Sequence, residues 1–180
     1  ILVNTFLSEI AETLYARGAT IDKFMGEAGI AFWNAPIERP GHAADAIRAI
    51  PAVMQAATRT NADLAAQGFP DVAIGIGLNT GPASVGLMGS ANRLSYTCIG
   101  DSVTLAARLE GLTRIYGVPN CVGAATVADL PEGFTALCLD LIAAKGFAQP
   151  APVYMVLPSD TPGLTQFAQA LDDARAAFIA

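Results

Sequence analysis

Apolar residues at Val3, Phe6, Leu7, Ile10 and Leu14 recur every three to four positions, which predicts an amphipathic helix over residues 1–17 with Gly18 as its stop. The pattern then changes to a loose apolar–polar alternation over 20–25 and 28–33, two strands folded back on each other at Gly26. Asn34-Ala35-Pro36 and Pro40-Gly41 bound a loop. Ala43, Ile47, Ile50, Met54, Ala57 and Leu64 restore the helical period over 42–67, with Pro51 expected to kink or interrupt it. Strands are predicted at 71–79, 83–88 and 94–99, followed by a helix at about 102–116 capped by Asp101 or Ser102. A short strand at 120–123, a short helix at 124–130 and a strand pair at 134–141 and 152–157 come next. After the linker 158–162, Leu164, Phe167, Leu171, Ala174 and Phe178 mark a last amphipathic helix.

Helices alternate with strands and hairpins are frequent, so the expected class is α+β, an antiparallel-rich sheet with helices packed on it. Composition agrees: 180 residues, 53% hydrophobic and 14% charged, suffice for a full core. The net charge of −6 opposes nonspecific attraction to nucleic acid or to an anionic membrane. Cys98, Cys121 and Cys138 form no CxxC pair and read as packed, reduced thiols, which points to the cytoplasm. His42 is the chain's one histidine, so no multi-histidine metal site is possible; it opens a helix and reads as structural. No run of 18 apolar residues occurs, so any membrane attachment would come through other parts of a longer protein. The chain opens without Met inside a helical pattern, which predicts a piece of such a protein.

Three blocks carry the candidate chemistry. The first is the hairpin Thr20-Ile21-Asp22-Lys23-Phe24-Met25-Gly26-Glu27, with a cation and a carboxylate near one tip. The second is Ile74-Gly75-Ile76-Gly77-Leu78-Asn79-Thr80-Gly81-Pro82, whose glycines do not form a GxGxxG loop and suit close packing of strands. The third runs from Gly89 through Tyr96-Thr97-Cys98-Ile99-Gly100-Asp101 to Glu110. Together with the Lys145-Gly146 turn, these blocks resemble the class III adenylate/guanylate cyclase catalytic domain from about residue 5 to 157.

The resemblance implies a ferredoxin-like fold, a head-to-tail homodimer, and conversion of ATP to cyclic AMP and pyrophosphate with two divalent ions, Mg²⁺ or Mn²⁺. It assigns base reading to Lys23 and Thr97, a pair that favours ATP over GTP. Thr104 takes the ribose-orienting position, Arg108 the transition-state position, and Lys145 the terminal phosphates. Glu27 takes a metal-ligand position. It also divides the chain into a catalytic-type domain at 1–157, lacking a first strand that carries a second metal-ligating Asp, and a linker with helix at 158–180.

Phe147 stands where the family often has a second basic residue after the Lys145-Gly146 turn, and two of the assigned positions also depart from the family pattern. Glu27 stands where the family has Asp, and one more methylene moves the carboxylate by roughly 1.5 Å. Thr104 stands where the family has Asn, one turn before Arg108 on the same helix face. Two readings therefore follow: an adenylate cyclase domain, or a cyclase-derived domain that binds nucleotide or a partner without turnover.

Overall fold

The computed structural model describes residues 2–26, 28–143 and 150–179. Its elements run α1 (Leu2–Ala16), β1 (Thr20–Met25), β2 (Ala28–Phe32), α2 (His42–Ala65), β3 (Ile76–Leu78), β4 (Ser84–Ser90) and β5 (Arg93–Ile99). Then come α3 (Asp101–Tyr116), β6 (Asn120–Gly123), α4 (Ala124–Val127), β7 (Phe134–Ile142), β8 (Ala151–Pro158) and α5 (Leu164–Ile179).

Among the described residues, four strands form one sheet in the order β3-β6-β8-β7, parallel at β3–β6 and antiparallel elsewhere. β1–β2 and β4–β5 are antiparallel hairpins. This is the α+β, antiparallel-rich architecture expected from the pattern.

Strand alternation sorts the core onto two faces of the sheet. Cys121, Val153 and Met155 pack with Leu105 and Leu109 of α3. Val122 and Val156 point the other way, onto Ile47 and Ile50 of α2. Each such fully buried aliphatic side chain contributes about 1.5–3 kcal/mol relative to exposure. α1 joins as an outer layer, with Phe6 against Ala57 and Leu64 of α2. Leu171 of α5 packs on the α3 side.

Local chemistry explains most boundaries. α1 ends where Gly18 takes φ 78°, and Gly18 and Ala19 donate to the carbonyls of Tyr15 and Leu14. Gly77 lets α3 lie directly on β3, since a Cβ there would collide with the Ala106 carbonyl and the Glu110 backbone.

Three expectations need correction. The interruption allowed for at Pro51 does not occur: α2 is one helix through it, with buried residues on both sides. The strand expected at 71–79 shrinks to Ile76–Leu78, since the Asn61 side chain takes both backbone groups of Val72 that a neighbouring strand would pair. α3 is capped by Gly100 with no side-chain cap bond; Ser102 Oγ instead donates to the Pro82 carbonyl, tying the helix start to the β3–β4 loop. Asp101 occupies the first turn, where a negative charge suits the helix dipole. Among the described residues no helix is long and apolar enough to cross a membrane.

Candidate active site

β1 and β5 come together where the first and third sequence blocks predicted substrate contacts. Phe32 of β2 meets Tyr96 of β5, with ring centroids 6.0 Å apart, and seats the hairpin on the strand. The Lys23 Nζ donates to Thr97 Oγ1 at 3.1 Å, joining two residues 74 positions apart in sequence. Thr97 Oγ1 in turn donates to Asp22 Oδ2 at 2.6 Å. The other Asp22 oxygen lies 3.5 Å from Lys23 Nζ and is the described buried side-chain oxygen without a hydrogen-bond partner.

Neighbouring strand residues normally face opposite ways. Asp22 and Lys23 reach the same hydroxyl because the β1–β2 register shifts between Ile21 and Lys23, a bulge at Asp22. The bulge leaves the Asp22 side chain 1% exposed and the Lys23 side chain 44% exposed. Thr97 is 5% exposed. Cys98 follows it, and burial first, with the Asp22 charge second, holds its thiol above the ordinary value of 9.0.

Asp22 has no role in the family pattern that assigns Lys23 and Thr97. Its signal was two adjacent charges inside a strand pattern, a break of the two-residue period that a bulge resolves.

Thr104 and Arg108 lie on an exposed face of α3, one turn apart as expected. Thr104 Oγ1 turns back to the Gly100 carbonyl at 3.4 Å, a long contact within its own first turn. Glu27 and Lys145, expected at the metal and the terminal phosphates, lie outside the described residues.

Mg²⁺ and Mn²⁺ demand hard oxygen donors converging on one point. Among the described residues no group of three or more His, Cys, Asp or Glu side chains gathers to hold a metal. Glu27, the ligand that the resemblance implies, lies outside the described residues, so the described part of one chain holds no complete donor set for such an ion.

Chemically, the β1–β5 contact offers an ammonium that only donates, beside a hydroxyl whose proton is already committed. That edge complements a ligand presenting an acceptor next to a donor.

The sequence profile described as the adenylate and guanylate cyclase catalytic domain matches residues 2–156. Adenylate cyclase 1 of Rhizobium meliloti (strain 1021) is 33% identical over 156 residues, covering 87% of this chain and 24% of that protein. The adenylate cyclase of Anabaena cylindrica is 30% identical over 161 residues, covering 86% and 31%. The chain thus spans about a quarter to a third of the length of these relatives. The crystal structure of the adenylyl cyclase CyaB from P. aeruginosa superposes with a TM-score of 0.79 at 29% identity, covering 89% of this chain and 82% of that one. The guanylyl cyclase Cya2 superposes at 0.78 with 25% identity, covering 89% and 81%.

Proposed function

Because this chain belongs to the adenylate and guanylate cyclase catalytic domain family, we propose that it converts ATP to 3′,5′-cyclic AMP and pyrophosphate at sites shared by two copies of itself. The observation that carries the choice of ATP is the Lys23–Thr97 contact. Adenine presents an acceptor at N1 beside a donor amine at C6, and Lys23 and Thr97 present the opposite pair. Guanine presents N1–H and a C6 carbonyl, so donor would face donor and acceptor would face acceptor. The relatives named as adenylate cyclases lend further support.

In the reaction the ribose 3′ oxygen bonds to the α-phosphorus and its proton passes to solvent. The bond from that phosphorus to the bridging oxygen breaks, and pyrophosphate leaves with the electron pair. Arg108, with five donors in a planar fork, follows the charge that builds on the phosphoryl oxygens. Thr104, one turn earlier, orients the ribose, and Lys145 holds the terminal phosphates. A divalent ion, with Glu27 as a ligand, would neutralise phosphate charge when bound. Self-association is supported by apolar side chains left exposed on the β4–β5 hairpin, among them Leu87, Leu94 and Ile99.

A second reading draws on Thr104. Its hydroxyl faces its own helix backbone, which leaves the ribose position weakly served and favours a domain that binds nucleotide without turning it over. The deciding experiment is cyclic nucleotide formation from ATP and GTP in Mg²⁺ and in Mn²⁺, with the dimer confirmed in solution. Cyclic AMP above background is expected. No product with either ion from a folded dimer would move the reading to the binding domain.

A further inference from the structure

Threonine is an ambiguous reader of a base, because a free hydroxyl donates or accepts as the ligand requires. Thr97 is not free. Its proton lies on the 2.6 Å bond to Asp22 Oδ2, and its oxygen accepts from Lys23 Nζ at 3.1 Å. A carboxylate can only accept, so the Asp22 bond fixes which way the hydroxyl points.

The two partners differ in how firmly they are held. Lys23 is nearly half exposed on a flexible stem, whereas the Asp22 side chain is 1% exposed and locked in the β1 bulge. An incoming base can displace Lys23 from Thr97 and take it as its own donor. It has no comparable access to Asp22. With Lys23 displaced, the Thr97 oxygen still has its proton turned inward and presents lone pairs outward.

From this arrangement we propose that Asp22 is a positioning residue that sets purine selectivity by forcing the Thr97 hydroxyl to act as an acceptor. The inference rests on the nucleotide-binding role of Lys23 and Thr97 proposed above. It deepens that role by naming the group that makes a threonine behave there as an acceptor only. A 6-amino purine satisfies such an oxygen; a 6-oxo purine meets it lone pair to lone pair.

The test compares ATP with ITP, whose hypoxanthine carries a 6-oxo group, and with purine riboside triphosphate, which keeps the N1 acceptor but lacks the 6-amine. Two readouts run in parallel: kcat/KM for cyclic product, and displacement of a fluorescent ATP analogue. Without Asp22 the hydroxyl turns freely and can donate to a 6-oxo group. Asp22→Ala is therefore expected to narrow the ATP-over-ITP preference by on the order of tenfold, the scale of one hydrogen bond made or mispaired. Thr97→Val should narrow the preference for ATP over purine riboside triphosphate to a similar degree. The double variant should lose no more than the larger single loss, because both changes remove one device.

A folded Asp22→Ala protein whose ATP-over-ITP ratio stays within twofold of wild type would overturn the proposal, as would fully additive losses in the double variant. If Asp22→Ala does not fold, Asp22→Leu refills the space and is read against the same two criteria. The nucleotide-binding reading fails separately: wild-type protein that neither binds nor distinguishes ATP and ITP would sink it before any variant is made.

Discussion

At the scale of single residues, Thr104 is where activity and its loss are most closely balanced. The side chain is exposed, so exchanging it costs little packing, and its hydroxyl now sits 3.4 Å from the Gly100 carbonyl of its own helix. Asparagine reaches one atom further and carries both a donor and an acceptor. If Thr104 faces the ribose, Thr104→Asn should raise cyclic AMP formation by roughly tenfold, because placement errors on the order of 1 Å are worth up to about a hundredfold in rate. Thermal unfolding should be unchanged. Unchanged turnover in a protein of unaltered stability would remove Thr104 from the site.

At the scale of elements, β6 joins both faces of the core, since Cys121 and Val122 are fully buried on opposite faces. Burial raises the Cys121 thiol from the ordinary 9.0 to about 11. The sign of the pH effect follows. Below about pH 9 the thiol is protonated in both folded and unfolded chains and burial costs nothing; between 9 and 11 only the unfolded chain ionises, so stability falls as pH rises. The loss from this one group reaches about 2–3 kcal/mol by the top of that window. Urea midpoints between pH 8 and 11 should fall less steeply in Cys121→Ala than in wild type. Equal slopes would mean that the thiol titrates normally in the fold.

The same elements divide what the sequence made legible from what it hid. Periodicity located α1, α2 and α5, a cap signal located α3, and alternation with turn residues located the hairpin strands, each to within a few residues. It overextended β3, since nothing in the pattern says that the Asn61 side chain will stand in for a neighbouring strand at Val72. Asn120 does the same between β6 and β8, bonding both backbone groups of Val156 from a fully buried position. Side chains that imitate backbone leave no periodic trace. For the site, the family resemblance named Lys23 and Thr97, and the fold puts them in contact. Asp22 escaped because a one-residue bulge turns it to the side of its neighbour, an event set by tertiary packing. Glu27 and Lys145 stay with the sequence expectation, outside the described residues.

At the scale of the whole molecule, the decisive question is whether one chain holds a complete site. Lys23 and Thr97 meet within the chain, yet the described residues assemble no metal-binding cluster. In the shared site proposed above, one copy would contribute Glu27, the other Lys23, Thr97, Thr104 and Arg108, and a closed two-fold pair would contain two such sites. That arrangement has a consequence no single-chain site can imitate. Glu27→Ala and Arg108→Ala should each be inactive alone, since every site in either homodimer lacks one essential group. When the two are mixed and allowed to exchange subunits, half the dimers are mixed at random pairing, and each carries one site with both defects and one with neither. Activity should therefore return to about a quarter of wild type for an isologous pair. It should rise and saturate with the proportion of mixed dimers, measured by differential tagging and native mass analysis. Mixed dimers that form in quantity without restoring product would place the two residues in the same half of the site, or outside it, and the shared-site reading would fall.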